Sequence, residues 1–184
     1  MRTLAVKELM VPIEDYATVR QEANLQEAIF AMEKAQTGLE SSHHKHRAIL
    51  VLDDNGNVVG KLTMKDILIA LEPNYGNIKG MEALTRSGHS PDLIKSMLKD
   101  NALWLEPLQF ICERGTQLKV SDFVKPPENS EHVDENATLG EAVHQLIVYP
   151  YHSLLVTRGK RVVGILRLSD VFATICDKIK TCKI

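Results

Sequence analysis

No sign of charge dominates this chain. Lys and Arg number 22 against 24 Asp and Glu, a formal net charge of −2, and the pI is near 6.4. A global attraction to nucleic acid or to an anionic membrane is excluded on that balance. Long apolar runs are also missing. Nothing approaches the roughly 20 residues of a membrane-spanning helix, and the opening MRTLAVKELMVPIEDY lacks the apolar core of a secretory signal. The three cysteines, Cys112, Cys176 and Cys182, are odd in number and widely spaced, which fits neither a disulfide framework nor a zinc site. A cytoplasmic protein with reduced thiols is expected. Aromatic residues make up only 5%, and the single tryptophan, Trp104, reads as a packing residue. Catalytic signatures are lacking as well: there is no P-loop, no Gly-x-Ser-x-Gly, no His-Glu-x-x-His and no dinucleotide fingerprint. The expectation is a protein that is not an enzyme. What is present is an ordinary globular composition, 44% hydrophobic and 25% charged. At 184 residues it suffices for one large domain or two small ones.

An internal repeat organises those residues. Leu25, Glu27 and Ala28 recur 114 positions later as Leu139, Glu141 and Ala142. Asn24 and Thr138 each stand three residues before a Glu, a capping-box pattern. Apolar residues follow at helical spacing, through Ile29 and Met32 and through Val143 and Leu146. Downstream, Ala48-Ile49-Leu50-Val51 matches Ser153-Leu154-Leu155-Val156 at an offset of 105. Each is a strand-length apolar run. Each is followed by a turn, Asp53 to Asn57 or Arg158 to Lys160, and then by Val-Val-Gly, which together predict a β-hairpin. A final helix follows Asp66 in one copy and Asp170 in the other. Upstream, Val6-Lys7-Glu8-Leu9-Met10 parallels Val120-Ser121-Asp122-Phe123-Val124. The repeated unit therefore reads as lead-in, strand, helix, strand, hairpin, strand and helix. A unit this small predicts two copies burying their sheets against each other. The organisation is a first unit over 1–71, a connector over 72–117 and a second unit over 118–184. Ser90-Pro91-Asp92 and Pro107 mark helix starts, so the connector is helical rather than a flexible linker.

These features carry a resemblance. The order strand–helix–strand–strand–helix, with Gly60-Lys61-Leu62-Thr63-Met64-Lys65-Asp66 leading into the last helix, resembles a CBS domain. The second copy reads Gly164-Ile165-Leu166-Arg167-Leu168-Ser169-Asp170. Two copies in register resemble a stand-alone Bateman module. The resemblance implies an α/β fold whose two units pack sheet to sheet about a pseudo-twofold axis. It implies a cleft that senses an adenine nucleotide, AMP, ADP or ATP, as a regulatory ligand rather than a required cofactor. It also implies a homodimer and an unidentified regulated protein as partners. An S-adenosylmethionine binder and a ligand-free interaction scaffold, docking through Leu93 to Leu108, are the alternatives.

The resemblance assigns site residues by position. For the first site these are Tyr16, Ala17 and Thr18, with His46, Arg47 and Ala48, around the adenine. Gly60 would let the backbone lie close to the ligand. Thr63 at a helix N-terminus suits a phosphate, and Asp66, an acceptor of hydrogen bonds, suits the ribose hydroxyls; the same pair also reads as a capping box. Arg47, Lys61 and Lys65 are the nearby cations. The second site would use Ser130, His132, His152, Ser153, Arg167 and Asp170. There His132 replaces Thr18 and Arg167 replaces Thr63. Two outcomes stand open: Arg167 pairs with a phosphate, or it bridges to an acid and leaves the site blocked or vacant. His43, His44 and His46 form a cluster that reads as a polar loop rather than a metal site. Asp53-Asp54-Asn55-Gly56 resembles the start of a calcium loop, but a hairpin turn accounts for it.

Overall fold

A computed structural model describes residues 4–37, 48–77 and 90–181. The first unit holds strands β2 (Thr18–Arg20), β3 (Ala48–Leu52) and β4 (Val58–Thr63), with helices α1 (Leu25–Thr37) and α2 (Met64–Leu71). The second holds β5 (His132–Asp134), β6 (Ser153–Arg158) and β7 (Arg161–Arg167), with α5 (Leu139–Val148) and α6 (Leu168–Thr181). Between them lie α3 (Pro91–Asp100) and α4 (Leu108–Gln117). In both units the first strand runs parallel to the middle strand, and the hairpin partner runs antiparallel to it. The registers correspond: Ala48 faces Thr63, and Ser153 faces Arg167. A further short strand, β1 (Val11–Pro12), joins β7, so the sheets have three and four strands.

Local chemistry accounts for the elements. Asn24 and Glu27 exchange backbone-to-side-chain hydrogen bonds of 2.9 Å each, and Thr138 and Glu141 do the same at 3.2 and 2.7 Å. Ser90 caps α3, accepting from the Leu93 N–H at 3.3 Å, with Pro91 in the first turn. Gly56 and Gly159 turn the hairpins at φ of 78° and 62°, a region open to glycine at no steric cost. Asp53 spends its carboxylate on its own turn, accepting from the Asn55 and Asn57 amides at 2.9 and 2.7 Å.

The lead-ins cross over. Val6 is fully buried in the second unit's core with Val133, Leu139, Leu154 and Leu166. Val120 is fully buried in the first unit's core with Leu25, Ile49, Val51 and Leu62. The backbone bonds repeat with the sequence offset. Val6 N–H donates to Ala137 at 2.9 Å and Val120 N–H to Ala23 at 2.8 Å. Leu139 N–H donates to Leu4 and Leu25 N–H to Leu118, both at 2.8 Å. Each unit's core is thus completed by a segment of the other, which couples their folding. Between the sheets lies a third layer of Tyr16, Leu50, Leu155 and Ile165. The expected packing of sheet on sheet is present.

Close approach of these segments explains two glycines. A Cβ on Gly164 would stand 2.7 Å from the Val11 carbonyl oxygen, and one on Gly60 would stand 2.4 Å from Val124 Cγ2. In the connector, Trp104 packs on one side only. It meets Tyr75 edge-on at 6.3 Å, donates to the Tyr75 hydroxyl at 3.1 Å, and remains 39% exposed. No helix among the described residues is long and apolar enough to cross a membrane.

Candidate functional site

A cleft of about 920 Å³ opens between the units, where β4 runs into α2 and β7 runs into α6. Of the residues expected at a site, it gathers Tyr16, Ala48, Thr63, Lys65, Asp66, His152, Ser153 and Arg167. Ala17, Thr18, Gly60, Ser130, His132 and Asp170 are not on its wall. His46 and Arg47 lie outside the described residues, as does the His43–His44 cluster. The residues absent from the wall have other engagements. Ala17 packs against the first core and its carbonyl accepts from Leu50 N–H at 2.9 Å. Thr18 is in register with Leu50 on β2. The glycine requirement at Gly60 comes from Val124, a protein contact.

At the first corner, Thr63 caps α2. Its backbone N–H and hydroxyl both donate to Asp66 Oδ2, at 2.8 and 2.6 Å, and its hydroxyl accepts from Asp66 N–H at 3.2 Å. The capping box forms, and it occupies one carboxylate oxygen. Asp66 Oδ1 has no hydrogen-bond partner among the described residues and belongs to a cleft-wall residue. Lys65, exposed, and Lys125 bring positive charge to the same wall, with Ala48 leaving space beside them. Met64, Leu168 and Phe172 give the mouth an apolar rim.

The second corner is built differently. Arg167 donates from Nε and Nη2 to the two oxygens of Asp170, at 2.5 and 2.7 Å, with side chains only 10% and 14% exposed. Arg167 thus bridges to an acid, its own helix's Asp170. Tyr16 is buried beside this pair. Burial pushes its hydroxyl pKa up to about 12, the Arg167 guanidinium pulling it down and the Asp170 carboxylate pushing it up.

A second network lies at the base of the cleft. Lys61 was expected among the phosphate cations, but it pairs with Glu131 at 3.0 Å, the two side chains being 9% and 15% exposed. It also donates to the Ser153 carbonyl at 3.2 Å and sits 5.6 Å from the Tyr151 ring centre. The Tyr151 hydroxyl donates to Glu128 at 2.9 Å and shares a 2.8 Å bond with Ser130 Oγ. Gln145 Nε2 donates to the carbonyls of Ser130 and His132, at 2.5 and 2.9 Å. Sequence reasoning missed Gln145, Glu131 and Tyr151. Superposing the two copies would have flagged Gln145 and the cation that Glu131 and Tyr151 meet: a charged Lys61 stands where the other copy has the apolar Ile165, and Gln145 where it has Ala31. A buried polar residue at an apolar position needs a partner.

Comparison with known proteins agrees with this architecture. The CBS domain model matches residues 6–73 and 120–177. Curated proteins give no match. Among solved structures, the CBS-pair protein CBSX2 from Arabidopsis thaliana superposes with a TM-score of 0.62 at 18% identity, over 97% of this chain and 99% of that one. A structure of CBSX2 in complex with AMP gives 0.58 at 18% identity, over 96% and 98%. The CBS domain of a bacterial CNNM/CorC family Mg2+ transporter in complex with ATP gives 0.59 at 18% identity, over 95% and 89%. With both halves matched by the family model, and with the cleft between them described, the chain belongs to the CBS domain family as a tandem pair.

Proposed function

We propose that this chain is a regulatory module that takes an adenine nucleotide in the inter-unit cleft, at the corner formed by Thr63 and Asp66. The observation that carries the reading is the open Asp66 Oδ1 on the cleft wall, beside the N-terminus of α2. An ionised carboxylate accepts from ribose hydroxyls. The free amides at the start of α2 and the ammonium groups of Lys65 and Lys125 favour the phosphate. The apolar rim of Met64, Leu168 and Phe172 suits a purine face. Solved CBS pairs with AMP and with ATP support the ligand class. The nucleotide would act by its differential affinity for two arrangements of the units, of the homodimer, or of the complex with a regulated protein. No catalytic step is assigned.

A thermal-shift panel of AMP, ADP, ATP and S-adenosylmethionine tests this. A ligand at about 100 times its Kd adds roughly 2.7 kcal/mol to the folded state, which a melting midpoint registers. Asp66→Ala should abolish the shift. A response to S-adenosylmethionine alone replaces the nucleotide by that ligand. A panel without response retires the sensor in favour of the interaction scaffold.

A further inference from the structure

Resting on the nucleotide reading, we infer that the second corner is occupied by the protein's own side chains, so each chain takes one nucleotide rather than two. Three separate groups hold it, Arg167 and Lys61 on the cleft wall and Gln145 behind it. The Arg167 guanidinium holds both oxygens of Asp170, the carboxylate that a ribose would need. Lys61, reaching across from the first unit, holds the Ser153 carbonyl and Glu131 on the base side. Gln145 holds the carbonyls of Ser130 and His132, whose backbone would otherwise be available to a base edge.

Every one of these groups has a counterpart at the first corner that cannot do the same. Thr63 stands at the position of Arg167, and its hydroxyl leaves Asp66 Oδ1 open. Ile165 stands at the position of Lys61 and is wholly aliphatic. Ala31 stands at the position of Gln145 and has no amide to donate. Three independent substitutions thus act in one direction.

The closure is also robust. A bidentate guanidinium–carboxylate pair is among the stronger charge-assisted contacts. Being intramolecular, it competes at a high effective concentration with any ligand from solution. A ribose displacing it would have to separate a mostly buried guanidinium from the Asp170 carboxylate. The Arg167–Asp170 pair is therefore a tethered stand-in for the ligand.

Calorimetric titration of the full chain with AMP, and separately with ATP, reads the stoichiometry. One mole per mole of chain is expected. Two moles overturn the inference while leaving the nucleotide reading intact. No binding of either nucleotide overturns both. Asp66→Ala should take the count from one to zero; a surviving site at one mole overturns the inference. The converse is a variant in which Arg167→Thr, Lys61→Ile and Gln145→Ala give the second corner the residues that the repeat places at the first. It should raise the count to two. A folded triple variant that still binds one mole shows that these groups do not close the site. Should the triple variant not fold, the wild-type and Asp66→Ala counts decide.

Discussion

The two corners of the cleft occupy equivalent places in a repeat, and they differ chiefly in what stands three residues before the aspartate. With Thr63 the aspartate caps a helix through one oxygen and presents the other; with Arg167 both oxygens are consumed. Around them the halves remain alike: the lead-ins cross over in the same way, the hydrogen bonds recur at the same offset, and the core positions correspond. Packing constrains both halves equally because each must bury the other's lead-in. The corners lie on the cleft outside those shared cores, where the two copies diverge in chemistry.

That contrast can be broken or sharpened by measurement. The largest effects belong to the shared core. Leu25→Ala and Leu139→Ala remove matching, almost fully buried side chains, and each should lose about 2 to 5 kcal/mol in urea unfolding. Similar losses from both would show that the halves are energetically equivalent. A loss at one position only would mean that they are not.

Next comes Tyr16, buried beside the Arg167–Asp170 pair. The unfolded tyrosine ionises near pH 10, while the folded one keeps its proton to about 12. The unfolded state sheds its proton first, so stability is full below pH 10 and declines as pH rises to 12, by roughly 2 to 3 kcal/mol. Tyr16→Phe should lack this component. Denaturation curves of the two proteins that stay parallel across pH 10–12 would refute the buried hydroxyl.

The two glycines come third. Gly164→Ala drives a Cβ against a backbone oxygen, Val11 O, and should lose about 1 to 3 kcal/mol. Gly60→Ala drives a Cβ into the Val124 side chain, with the Lys125 carbonyl oxygen 3.2 Å away, and should lose a similar amount. It should also leave AMP affinity unchanged, since Gly60 does not line the cleft. A large loss of affinity would return Gly60 to the ligand.

The smallest effect is at the open corner. Thr63→Ala removes a helix cap worth about 1 kcal/mol, visible as a small drop in melting midpoint. The same variant should weaken AMP binding more than that, because the hydroxyl also helps fix the Asp66 carboxylate.

Much of this was legible before the fold. Capping boxes, hairpin turns and apolar strand runs depend on neighbours within a few residues, so Asn24-x-x-Glu27, Thr138-x-x-Glu141 and Gly159 announced their elements directly. Thr63 and Asp66 were legible by the same logic. The engagement of Lys61 was not: its partner Glu131 lies on the other unit, and proximity there is set by how the sheets stack. Nor was the close approach of Val124 to Gly60, because the two segments are remote in sequence.

By itself the sequence determined the repeat, the type of the repeated elements and the family, because these rest on short-range periodicity and on motifs with fixed spacing. The tertiary structure alone decided that Val6 completes the second core and Val120 the first. It also decided that Lys61 donates to Ser153, Gln145 to Ser130 and His132, and Arg167 to Asp170. These outcomes depend on contacts between distant residues, and such contacts are selected by the close packing of two sheets rather than by any local preference of the chain.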